Sequence, residues 1–102
     1  MDNLIEITQN KIGDTEINSV NARDLWRALE SKQDFSNWIK GRLSRTRYVE
    51  GIDFYSFDKI IERTKGASVA KEYIISIDMA KNFAMMEQTH VGDRVRRYFI
   101  EV

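Results

Sequence analysis

Apolar residues recur along this chain with two different periods. From Asn21 to Leu43 the spacing is helical: Ala22, Leu25, Trp26 and Leu29 form one stripe, and Phe35, Trp38, Ile39 and Leu43 form a second. Asn21 and Asp34 stand just before the two stripes, where a short side-chain oxygen can accept from the free backbone N–H groups of a starting helix. Ser31, Lys32 and Gln33 interrupt the pattern between them. So short a connection must turn both stripes toward one core, and the segment predicts a helix-turn-helix-like pair over residues 21–43. The spacing does not by itself assign DNA reading, because many helix pairs share it.

Two further helices are predicted toward the C-terminus. Asp78 stands as the cap of the first, with Met79, Ala80, Phe83, Ala84 and Met86 on the inner face and Met85 off it. Thr89 stands as the cap of the second, whose stripe is Val91, Val95, Tyr98, Phe99 and Val102, with Asp93, Arg94, Arg96 and Arg97 opposite. A period of two marks the strands. Leu4–Thr8 and Glu16–Val20 flank a turn at Gly13-Asp14, with Ile17 pointing inward. Asp53–Phe57 and Tyr73–Ile77 read as a second hairpin, joined by a long loop from Asp58 to Glu72 in which Ile60-Ile61 fits a strand extension or a helical turn equally well. The predicted fold class is α+β: small antiparallel hairpins packed with about four short helices.

Composition adds limits rather than a function. The 102 residues suit one domain spanning 1–102, and 42% hydrophobic with 11% aromatic residues is the make-up of a chain that folds. Sixteen basic and sixteen acidic side chains cancel, so nucleic-acid binding has to rest on local charge. That charge is uneven. Lys40, Arg42, Arg45 and Arg47 follow one another with no acid between Phe35 and Val49, whereas Asp2, Glu6, Asp14 and Glu16 face only Lys11 before Ala22. The absence of cysteine removes disulfides, thiol nucleophiles and cysteine metal sites. No apolar run approaches the roughly 18 residues of a membrane helix, and the first residues do not form a secretory signal.

Catalytic chemistry finds no constellation here. His90 is the one histidine, the glycines match no phosphate-binding loop, and no nucleophile has a base at a telling spacing, so no enzyme, cofactor or metal is expected. What the sequence offers instead is charged outer surface. Lys40, Arg42, Arg45 and Arg47, flanked by Trp38 and Tyr48, can grip phosphates, and the basic residues between Arg63 and Lys71 can serve as a wing against a groove. For a macromolecular partner the candidate contacts are Lys40, Arg42, Arg45, Arg47, Arg63, Lys65, Arg94 and Arg97.

Six blocks in order carry a family resemblance: Val20-Asn21-Ala22-Arg23-Asp24-Leu25, Asp34 to Lys40, Glu50-Gly51 before Asp53-Phe54, Lys71-Glu72-Tyr73, Asp78-Met79-Ala80-Lys81, and Arg96 to Glu101. Together they resemble the phage AntA/AntB antirepressor domain over almost the whole chain after about Ile17. Trp26, where members often carry a smaller polar side chain or a histidine, and the stretch from Asp58 to Ala70 depart from that pattern. The resemblance implies a phage or prophage protein that relieves repression in the bacterial cytoplasm, either as a complete short member or as the N-terminal part of a longer one. Three readings follow. The first is a non-catalytic regulator that binds a phage repressor protein. The second is a DNA-binding module that touches duplex DNA through the 21–43 helix pair, the 40–47 segment and the 58–72 loop. The third is a homo-oligomer built through the Met79–Val102 helices.

Overall fold

Local chemistry sets each element. In the computed structural model, residues 5–101 are described, the side chain of Arg63 excepted. Strand β1 (Thr8–Ile12) turns through Gly13 and Asp14 into β2 (Thr15–Asn21), with Ile12 opposite Thr15. Gly13 has φ +62°, and an added Cβ would stand 2.6 Å from the Gly51 carbonyl oxygen, so both the turn and its packing require glycine. β1 therefore lies later than the Leu4–Thr8 strand expected from alternation, because a two-residue turn needs its strands immediately on either side. Leu4 lies outside the described residues. Ile5 is buried in the core, and the Tyr98 hydroxyl donates to its carbonyl at 2.9 Å.

Both expected caps of the helix pair are present. The Asn21 side chain accepts from the Arg23 N–H and opens α1 (Ala22–Ala28); the Asp34 side chain accepts from the Asn37 N–H and opens α2 (Phe35–Ser44). The chain then turns at Gly51 (φ +89°) into β3 (Phe54–Arg63) and β4 (Gly66–Ser76). These strands pair without a break from Phe54↔Ile75 to Arg63↔Gly66. The long loop expected from Asp58 to Glu72 is thus strand on both sides of a Thr64-Lys65 turn, and Ile60-Ile61 belongs to the strand extension. β4 ends one residue earlier than expected, at Ser76, whose hydroxyl accepts from the Met79 N–H at 3.1 Å. Ser76, not Asp78, caps α3 (Ile77–Met86), and Asp78 sits in its first turn, where a carboxylate complements the helix dipole. Thr89 does cap α4 (His90–Glu101), accepting from the Gly92 N–H at 2.9 Å.

The four strands form one antiparallel, curled sheet in the order β1-β2-β4-β3, so the architecture is α+β as expected. Helices α1 and α3 both pack on β2 and β4, α2 packs on α1, and α4 on α3. Trp38, Phe83 and Phe99 share the interior with Leu25, Ile39, Ile75, Met79 and Val95. Trp38 and Phe83 meet edge to face with centroids 5.9 Å apart. Ile17 is only half-buried; Val20, together with Ser19, supplies the buried positions of β2. Met85 lies off the inner face of α3, 53% exposed, as its spacing predicts.

Candidate functional site

The β3–β4 hairpin runs beyond the sheet. β2 pairs with β4 only from Ile74 to Ser76, so from Gly66 to Tyr73 no strand covers that edge among the described residues. The opposite edge, on β3, is met by Glu50 and Gly51 at Phe54 and Ser56, and beyond them no strand pairs with it among the described residues. Ile60 and Val69 face each other across this ribbon and are 68% and 65% exposed.

At its base the ribbon meets the α1–α2 elbow through a compact set of contacts. Arg23, in the first turn of α1, donates from Nε to Glu72 at 2.6 Å and from a terminal nitrogen to the Lys71 carbonyl at 3.3 Å. Its guanidinium stands 4.2 Å from the centroid of the Phe35 ring. Phe35 in turn touches Trp26, Trp38 and Tyr73, with centroids 5.7, 6.1 and 6.0 Å away. The Trp26 indole N–H donates to the Gln33 carbonyl at 2.8 Å and fixes the elbow. Between α2 and β4 these residues leave a cleft of about 540 Å³, with Trp26, Phe35, Ile39 and Val69 as apolar lining and Lys40 and Lys71 at its polar side. Asp34 also borders the cleft. The Asn37 backbone N–H, followed by the Asn37 side-chain amide, holds the Asp34 carboxyl below its ordinary range.

The eight expected contact residues do not gather at one place. Lys40, Arg45 and Arg47 are exposed on or just after α2, and Lys65 is exposed at the ribbon turn. Arg63 takes the last paired position of β3. Arg94 and Arg97 are exposed on α4, where Arg97 lies 3.4 Å from Asp93. No hydrogen bond or ion pair among the described residues joins the α4 arginines to the other groups.

Arg42 needs correction as a surface contact. It is only 9% exposed and pairs with Glu87 at 2.7 Å, the same carboxylate oxygen that accepts from the Trp38 indole at 2.7 Å. The signal was in the spacing, because Phe35, Trp38, Ile39 and Arg42 run i, i+3, i+4, i+7 along the inner stripe. The cleft residues Arg23, Trp26, Glu72 and Lys71 had no comparable signal, since they converge from two elements, α1 and β4, far apart in sequence. Among the described residues no His, Cys, Asp and Glu cluster could hold a metal ion, and no helix is long and apolar enough to cross a membrane.

The AntA/AntB antirepressor family matches residues 20–89, which take in α1, α2, the β3–β4 ribbon and α3. The chain belongs to that family, a regulatory rather than catalytic one. The match covers both the elbow and the ribbon that flank the cleft. It stops just before α4, so the resemblance of Arg96–Glu101 lies outside the matched span. No curated protein and no solved structure matches the chain.

Proposed function

We propose that the protein is a phage or prophage antirepressor that binds a repressor protein in the bacterial cytoplasm and relieves transcriptional repression without chemistry. The observation that carries this reading is the family match across residues 20–89. Mass action makes binding sufficient: a partner that engages only the DNA-free repressor withdraws it from its operator by as much as its affinities for the two states differ. The exposed cations Lys40, Arg45, Arg47, Lys65, Arg94 and Arg97 are proposed to contribute to the contact, with Arg63 beside the ribbon turn. Affinity purification of the tagged chain from its lysogen is expected to recover the repressor at stoichiometric yield. Recovery of no repressor, under conditions where operator-controlled genes are nonetheless induced, would contradict it.

The ribbon favours a second reading. A two-stranded β-ribbon fits the major groove of duplex DNA, and Lys65 at its turn together with Lys40, Arg45 and Arg47 could meet phosphates. This reading requires retardation of duplex DNA at low salt that weakens steeply as salt is added and when Arg45 and Arg47 are changed to alanine. Absence of any retardation at low salt would remove it.

A further inference from the structure

The two open edges of the ribbon differ in chemistry. On β3 the edge carries Asp58, Lys59 and Glu62, charges of the kind that discourage another strand from pairing. A two-fold copy centred on Ile60 would set Asp58 against Glu62, like against like. On β4 the run Gly66-Ala67-Ser68-Val69-Ala70 holds no charge and mostly small side chains, and it is β4 that borders the cleft beside α2.

The direction of the backbone groups follows from two contacts. Gly66 closes the two-residue turn opposite Arg63 and so turns its backbone groups toward β3, whereas the Lys71 carbonyl accepts from Arg23. Alternate residues of a strand send their N–H and C=O to the same edge, so Ala67, Val69 and Lys71 point theirs away from β3 and toward the cleft. Arg23 already supplies one donor there, in the place where a neighbouring strand would supply it. Lys40 and Lys71 add two ammonium groups that are not ion-paired among the described residues. Asp34, the one carboxylate lining the cleft, is engaged by Asn37, and Asp58 stands across the ribbon from Lys71.

We infer that the open edge of β4 from Ala67 to Lys71 accepts an extended, acidic and apolar peptide segment of a partner protein, added as a further strand in the cleft between β4 and α2. Backbone hydrogen bonds to Ala67, Val69 and the N–H of Lys71 give the affinity, alternate apolar side chains of the peptide enter against Trp26 and Phe35, and its carboxylates meet Lys40 and Lys71. A segment of four residues in strand geometry spans about 13 Å, a length suited to this edge. The inference rests on the antirepressor reading in one respect, that the natural partner would be the repressor.

The test uses the full chain and a synthetic decapeptide, the one most enriched when a displayed random library is selected on it. The expected winner is acidic and apolar and shifts the backbone amides of Ala67, Val69 and Lys71 in NMR spectra. N-methylation of the peptide at alternate residues should weaken binding at least tenfold, while methylation at the intervening residues leaves it unchanged. Val69→Pro removes an edge donor without touching the ladder to β3, so the ribbon amides should persist while peptide affinity falls at least tenfold. Lys40→Glu, at an exposed position, should weaken the acidic peptide about threefold. No enriched peptide, binding indifferent to Val69→Pro in a folded protein, or shifts mapping elsewhere would overturn the inference. So would edge shifts produced by duplex DNA alone, or by raising the protein concentration alone, which would put a second copy there. A lysogen reporter separates this inference from the function on which it rests. Full induction by the Val69→Pro chain overturns strand addition and leaves antirepression standing, whereas no induction by the unaltered chain overturns antirepression and leaves the peptide result to decide the edge.

Discussion

Gly92 shows how little space separates α3 from the start of α4. A Cβ there would stand 2.7 Å from the Ala84 carbonyl oxygen and 2.9 Å from the Glu87 Cβ. Alanine ordinarily gains about 1 kcal/mol over glycine within a helix, but a backbone oxygen cannot step aside, and overpacking of this kind costs about 1–3 kcal/mol. Gly92→Ala is therefore expected to destabilise on balance and to lower Tm by several degrees in thermal melts. An unchanged or raised Tm would mean that the helices part more easily than their spacing implies. Glu30 gives the opposite case. It follows the C-terminal cap of α1 with φ +55°, a conformation that favours glycine, and its side chain is exposed. Glu30→Gly should stabilise by about 0.5–1 kcal/mol, read from urea denaturation at an unchanged m-value. Such details lie beyond a hydrophobic pattern, because both depend on how a single backbone unit meets its surroundings.

Between elements, the joint of α2 with the end of α3 depends on Glu87, whose carboxylate accepts from both Trp38 and Arg42. Both charged side chains are nearly buried, at 11% and 12% exposure, so truncating one leaves the other without compensation. Glu87→Ala should cost about 3–5 kcal/mol, and an apolar pair in place of both Arg42 and Glu87 should recover much of it, measured by denaturant unfolding of the single and double variants. Equal losses in the single and double variants would contradict this assignment. The cap of α2 responds to acid. Because its native pKa is depressed, the Asp34 carboxylate contributes stability that is fully present above its unfolded pKa and lost as pH falls through the lower native value. Its carboxyl NMR titration should have a midpoint below the ordinary aspartate range, and Asp34→Asn should abolish that pH dependence while still capping. The caps at Asn21, Asp34 and Thr89 were legible because each is a local signal next to a regular stripe. The outer ribbon was not: with both its faces largely in solvent, no period of two distinguishes Asp58–Lys71 from a loop, and only the pairing itself reveals the strands. Arg42 was misplaced for a related reason, since its charge outweighed its position on the inner stripe.

At the scale of the molecule, the large apolar side chains are mostly spent on one core, and what lies outside it is charged surface, the ribbon and the cleft at its base. The sheet order and the joining of the elbow to the ribbon could not be read from the sequence, because β2 reaches β4 across more than fifty residues and Arg23 reaches Glu72 across a similar interval. Family membership was legible through short blocks that fall at caps and turns, such as Asn21 and Asp34, where backbone geometry restricts the residue. On the function proposed above, this fold acts by occupying a repressor rather than by altering it. The most direct measurement is operator occupancy, followed by fluorescence anisotropy while the purified chain is titrated into the repressor–operator complex, with the repressor's mass recorded before and after. The expected result is stoichiometric release of an unmodified repressor that rebinds its operator once the chain is removed. Release that is accompanied by cleavage or covalent change of the repressor, or occupancy that does not fall at saturating chain, would contradict the account.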